Sequence, residues 1–178
     1  ASVLPAFQPE SSPAAATPSS LDTWADVRAQ FLLTPGRIHM SQMLLASSMA
    51  AMAFNVAGLG SVHGTGHAIS ARLNAAHGQT LATMLPHVMA FNMSERESKY
   101  IEVAKILNPK GPATGAGAID AVIQLRADIG IDKSIRDLGA EDNLFDVLVQ
   151  DALADPVNFS NPIPVDADAI EKMYKAAW

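Results

Sequence analysis

Gly58-Leu59-Gly60-Ser61-Val62-His63-Gly64-Thr65-Gly66-His67, continuing through Ala68-Ile69-Ser70-Ala71-Arg72-Leu73-Asn74-Ala75-Ala76-His77-Gly78, is the stretch around which the chain is organised. It holds three of the five histidines in 178 residues. Imidazole is both a neutral metal ligand and a proton carrier near neutral pH, so three side chains this close together invite a chemical reading. From Met40 to Asn92 the only formally charged residue is Arg72. Histidines that face inward here therefore meet a low-dielectric environment in which protonation is disfavoured and lone pairs stay available.

Upstream, a long helix is expected from about Arg37 to Ala57, apolar almost all round as a buried central helix would be. Gly58 suits the left-handed position that ends such a helix. The segment from Met40 to Gly60 fails as a membrane span, because Ser41, Gln42, Ser47, Ser48 and Asn55 interrupt it and Ala dominates over Leu and Ile. His63 and His67 stand four apart and share one face of the next helix. Gly60, Gly64 and Gly66 each weaken that helix by about 1 kcal/mol relative to Ala, so their presence implies close backbone approach to a ligand or to a neighbouring helix.

Downstream, Leu81, Met84, Leu85 and Val88 carry another helix toward Phe91. Ser94 and Glu97 form a capping box opening a helix with Tyr100, Ile101, Ala104 and Leu107 on one stripe. Asn108-Pro109-Lys110-Gly111-Pro112 breaks it. Ala118, Val122, Leu125 and Ile129 mark the next helix, Ile135 and Leu138 a short one closed by Gly139, and Leu144, Phe145, Leu148 and Ala152 another before Asp155-Pro156. Asp166 caps a last helix bearing Ile170, Met173, Tyr174 and Ala177. No run alternates with period two, so the fold class is all-α, a helical bundle.

Residues 1–20 are a low-complexity tail rich in Pro, Ala and Ser, unable to bury enough apolar area to order alone; a partner surface is the simplest thing to hold it. Leu21 to Leu33 reads as a short helix with Trp24, Val27 and Phe31 at helical spacing. Residues 21–178 form the helical domain. The chain begins at Ala, which fits removal of Met or of a targeting segment equally and leaves the compartment open.

The net charge of -6 and the lack of any basic cluster exclude nucleic acid as a partner. Cysteine is absent, so metal ligands are limited to His, Asp and Glu. Spacing alone pairs His63 with His67 as metal ligands. A divalent ion would also need a carboxylate, which Asp22, Asp26, Glu95 or another chain would supply. His39 and His87 fall outside the cluster and read as packed or capping residues. Gly58-Leu59-Gly60 and Gly115-Ala116-Gly117 are lone glycine pairs without a preceding strand, and no nucleotide-binding motif is present.

Three segments together resemble the iron-containing (group III) alcohol dehydrogenases: Ala46 to Asn55, the G-x-x-H-x-x-x-H-x(9)-H-G run from Gly60 to Gly78, and Leu85-Pro86-His87-Val88-Met89-Ala90-Phe91-Asn92. Leu138-Gly139-Ala140 and the stretch from Asp155-Pro156 through Asn161-Pro162 to Trp178 continue the resemblance, which covers residues 40–178. It implies the C-terminal helical domain of an enzyme whose iron or zinc sits against an N-terminal dinucleotide-binding domain. On this resemblance His63 and His77 match two metal ligands, and His67 matches a histidine beside the substrate rather than a ligand. The family's other two ligands, an Asp-x-x-x-His pair, have no counterpart here, nor does its glycine-rich pyrophosphate loop. Two imidazoles without a carboxylate should hold iron weakly. NAD(P) could be bound only with a second chain supplying the nucleotide domain, and hydride transfer by this chain alone is not expected. Two functions follow: the metal-site part of an alcohol dehydrogenase completed by another polypeptide, or a non-catalytic, dehydrogenase-derived subunit of a larger assembly. Both place other protein chains among its partners.

Overall fold

The computed structural model describes residues 40–178, and the tail and the Leu21–Leu33 helix expected from the sequence lie outside them. Seven α-helices follow in order: α1 Met40–Ala57, α2 Gly60–Leu73, α3 His77–Phe91, α4 Met93–Leu107, α5 Gly115–Asp128, α6 Phe145–Ala154 and α7 Ala167–Ala177. Short 3-10 turns occupy Asp142–Leu144 and Pro156–Ser160, and no strand occurs among the described residues. The all-α expectation holds.

Helix α1 ends where the sequence indicated. Gly58 adopts φ +85° and its N–H closes the last turn on the Phe54 carbonyl at 2.8 Å. The chain then bends by 109° between the helices over Gln42–Ala57 and Gly60–Leu73. What the sequence misjudged is burial. Helix α1 is not a central core helix: Leu44, Met52 and Val56 are 64%, 72% and 89% exposed, while Ala46 is buried. The helix makes no extended packing with any other described helix, so its apolar character is not used within the bundle. Periodicity could not reveal this, because a helix apolar on every side carries no directional signal. No single described helix is long and apolar enough to cross a membrane.

The core lies between α2, α3, α6 and α7. Ile69, Met84, Val88, Leu148, Ile170 and Tyr174 are fully enclosed there, and the Tyr174 hydroxyl donates to the Thr65 carbonyl of α2 at 2.8 Å. A second cluster, Met89, Ala104, Ala118 and Val122, joins α3 to the α4–α5 pair. Asp166 caps α7 as expected, accepting from the Ala169 N–H at 2.8 Å. Thr114 caps α5 in the same way, through the Gly117 N–H at 3.0 Å.

Two local expectations differ. The Ser94–Glu97 capping box does not form, because α4 starts earlier, at Met93, with the Asn92 carbonyl accepting from the Glu95 and Arg96 N–H groups. Helix α3 runs into α4 through a single turn at Asn92, so Ser94 already lies inside the helix. Ile135 and Leu138 stand in consecutive turns rather than a helix. That segment is fixed by tertiary contact: Ile135 is buried, its N–H bonds the Ala177 carbonyl at 2.9 Å, and Gly139 at φ +101° closes it.

Candidate metal centre

Helix α2 presents His63 and His67 one turn apart, and Asn74 in the left-handed conformation (φ 51°) turns the chain so that α3 begins with His77 beside them. The three imidazoles form a compact triangle. Ring centroids are 5.6 Å apart for His63 and His67, 5.4 Å for His63 and His77, and 5.3 Å for His67 and His77, the last pair stacked at 25°. Phe54 of α1 flanks the cluster, 6.1 Å from the His63 ring. The structure thus assembles all three candidate residues. His87 lies about 15 Å further along α3 at 1.5 Å per residue; it is half-buried, with its pKa lowered by burial and then by Arg126. It is a packed histidine, as expected, while His39 is outside the described residues.

The carboxylate at the cluster is none of those named from the sequence. Asp22 and Asp26 lie outside the described residues, and it is Asp155 whose Oδ2 stands 2.8 Å from His67 Nδ1. The Asp155 Oδ1 accepts from the Val157 N–H at 3.0 Å. Burial pushes the Asp155 carboxyl up, but the Val157 N–H and His67 together outweigh it and leave the pKa below the ordinary value. Sequence reading missed Asp155 as a site residue because 88 positions separate it from His67; its one trace was the Asp155-Pro156 pair.

Asp155 opens the 3-10 turn Pro156–Ser160, and that turn is seated on α2 by a matched set of contacts. The Ser160 hydroxyl and the Asn161 side-chain carbonyl accept from the Gly60 and Ser61 N–H groups at 3.0 and 3.1 Å, satisfying donors that the first turn of a helix leaves free. Asn161 also exchanges amide hydrogen bonds with Asn92 at 2.8 and 3.0 Å. The seat requires glycine on the α2 side. A Cβ on Gly64 would lie 2.4 Å from Asn158 Oδ1, and one on Gly58 would lie 2.2 Å from Ser160 Cβ. Gly58 and Gly64 therefore mark the close approach of this turn, while Gly66 marks that of α3, where a Cβ would lie 2.7 Å from Leu81 Cδ2.

Burial keeps His63 ready to donate a lone pair. The His63 pKa is lowered first by burial and then by the charges His67 and His77 would carry, so His63 is neutral near neutral pH. Its Nδ1 is buried without a hydrogen bond. Imidazoles with an adjacent carboxylate and no thiolate suit a borderline divalent ion such as zinc or ferrous iron. Among the described residues no three His, Asp or Glu side chains are arranged to close on one ion by themselves. The residues therefore fit part of a coordination shell. A separate apolar cavity of about 670 Å³, lined by Val62, Leu85, Met89, Tyr100 and Leu125 among others, includes none of the histidines.

Residues 37–178 match the model of the Fe-containing alcohol dehydrogenase family, C-terminal. Lactaldehyde reductase of Escherichia coli (strain K12) is 34% identical over 142 residues, 77% of this chain and 37% of that protein. The 1,3-propanediol dehydrogenase of Citrobacter freundii is 36% identical over 141 residues, 76% of this chain and 36% of its own length. A crystal structure of 1,3-propanediol oxidoreductase superposes with a TM-score of 0.79 at 31% identity, covering 89% of this chain and 43% of that one. An alcohol dehydrogenase from Oenococcus oeni gives 0.78 at 31% identity, with 89% and 44% covered. The chain spans less than half the length of each of these relatives.

Proposed function

The chain belongs to the Fe-containing alcohol dehydrogenase family and corresponds to its C-terminal part; from that premise we propose that it supplies the helical wall and part of the metal shell of an NAD(P)-dependent enzyme interconverting small alcohols and aldehydes. In this reading His63 and His77 are two ligands of a ferrous or zinc ion, and His67 faces the substrate. The remaining ligands and the nicotinamide site come from polypeptide outside the described residues. When bound, the metal would hold the alcohol oxygen and lower its pKa.

The chain's own residues then have separable tasks. His63, kept neutral by its burial and its imidazole neighbours, offers a lone pair at neutral pH. His77 is placed beside it by the left-handed turn at Asn74. His67, bonded to Asp155, orients the alcohol hydroxyl, and Phe54 supplies an apolar flank that limits water around His63. The observation that carries the reading is the triangle of imidazoles at 5.3–5.6 Å beside a carboxylate.

Cobalt(II) titration of the purified full chain tests it, read by visible absorption and calorimetry. Saturable one-site binding is expected, weakened at least roughly tenfold in His63→Ala and in His77→Ala, because each removes a ligand from an already partial shell. Equal affinity in the parent chain and both variants would refute the assignment. Activity is tested with 1,2- and 1,3-propanediol after adding the nucleotide-binding half of a relative.

A further inference from the structure

The carboxylate beside His67 has a more specific role than closing a gap between α2 and the turn after α6. We propose that Asp155 is a positioning residue that fixes His67 as its Nδ1–H tautomer and leaves Nε2 as a hydrogen-bond acceptor within the histidine cluster. Its meaning for an alcohol substrate rests on the function proposed above, but the tautomer itself does not.

The inference follows from counting donors and acceptors. Both oxygens of Asp155 are engaged, Oδ1 with the Val157 N–H at 3.0 Å and Oδ2 with His67 Nδ1 at 2.8 Å. An ionised carboxylate can only accept, so the hydrogen between Oδ2 and Nδ1 has to come from the imidazole. A neutral ring with its proton on Nδ1 carries its lone pair on Nε2. The carboxylate is also held still. The Asp155 carbonyl accepts from the Asn158 side-chain amide at 3.1 Å, and Asn158 Nδ2 donates to the Ala152 carbonyl at 2.6 Å. At the far end of the same turn, Ser160 and Asn161 bind the first N–H groups of α2. The turn therefore grips α2 at its start and at His67, while His77 stacked at 5.3 Å restrains the ring from another side. An imidazole so restrained can accept a hydrogen bond from a small alcohol at Nε2 without first choosing a tautomer or rotamer.

A purely structural tie and a tautomer-setting one respond differently to Asp155→Asn. The side-chain amide has one oxygen and one NH2 group. The Val157 N–H can only donate and claims the oxygen, which turns the NH2 toward His67 Nδ1. The ring must then accept at Nδ1 and carry its proton on Nε2. Long-range 1H–15N correlation spectra of the 15N-labelled full chain report this, with His67 assigned by its loss in His67→Gln. Spectra are recorded metal-free at about pH 9, well above the ordinary imidazole pKa of about 6.5. The parent chain is expected to show His67 as the Nδ1–H form, and Asp155→Asn to reverse the tautomer ratio by roughly tenfold or more, the size of one hydrogen-bond preference. An Nε2–H ring in the parent chain would overturn the proposal, and so would a tautomer unchanged in Asp155→Asn. The parent spectrum decides even if the variant fails to fold. Because neither measurement involves metal or alcohol, failure here is distinct from failure of the cobalt titration.

Discussion

Replacing Gly64 by Ala should destabilise the protein, although Ala is the better helix former, and the sign should reverse once Asn158 is shortened. Gly64 lies inside α2, where Gly→Ala alone is worth about 1 kcal/mol in favour of the helix. The new Cβ would sit 2.4 Å from Asn158 Oδ1 and 2.9 Å from its Cγ, so the amide has to move. Asn158 is buried, and its Nδ2 donates to the Ala152 carbonyl at 2.6 Å and to the Asp155 carbonyl at 3.1 Å. Displacing it loses about 1 kcal/mol of hydrogen bonding and adds about 1–2 kcal/mol of overpacking strain. The net is a loss of about 1–2 kcal/mol, which lowers Tm by about 3–6 °C for a chain of this size. In an Asn158→Ala background the obstacle is gone, and Gly64→Ala should then stabilise by up to about 1 kcal/mol. Urea unfolding of the four chains in the double-mutant cycle measures this, giving a coupling of about 2–3 kcal/mol. A Gly64→Ala change that stabilises the parent chain, or acts equally in both backgrounds, would refute the account of how the Pro156–Ser160 turn is seated.

Two further perturbations test the core and the charge balance. Tyr174→Phe removes the hydroxyl that donates to the Thr65 carbonyl at 2.8 Å in a fully buried site, and should cost about 1 kcal/mol, or about 3 °C in Tm, by calorimetry; an unchanged Tm would contradict the bond. Acidification should destabilise the fold. His63 and His87 both have folded pKa values below the unfolded value of about 6.5, so the unfolded chain binds more protons as pH falls below that value. Neither group costs stability above about pH 7, and the cost grows from about pH 6.5 down to the folded pKa. The urea midpoint should therefore drop between about pH 7.5 and about pH 5.5, and drop less in His87→Gln; equal slopes in the two chains would show that His87 is not the group responsible.

Much of the secondary structure was legible because it rests on local rules. Gly58 ended α1 for want of a Cβ, Asp166 capped α7 through its own side chain, and the apolar spacing of Ile170, Met173 and Tyr174 put one face of α7 into the core. The Ser94–Glu97 box failed for an equally local reason: Asn92 allowed α3 and α4 to meet with one turn between them, so the capping position had moved upstream. Ile135–Gly139 was misjudged because its conformation is set by the remote Ala177 carbonyl.

The sequence by itself determined the helical class and the family, and spacing put His63 and His67 on one helix face, while the pairing of His63 with His77 rested on the resemblance alone. Only the tertiary structure decided what stands against them. Asp155, Asn158, Ser160 and Asn161 reach α2 through chain reversals that no periodicity encodes, and Gly64 acquires its purpose only when that turn lies on it, as Gly66 does only when α3 packs alongside. The same holds for α1. Its composition fixes that it is a helix and apolar, but burial depends on which neighbours lie alongside, and among the described residues α1 has almost none.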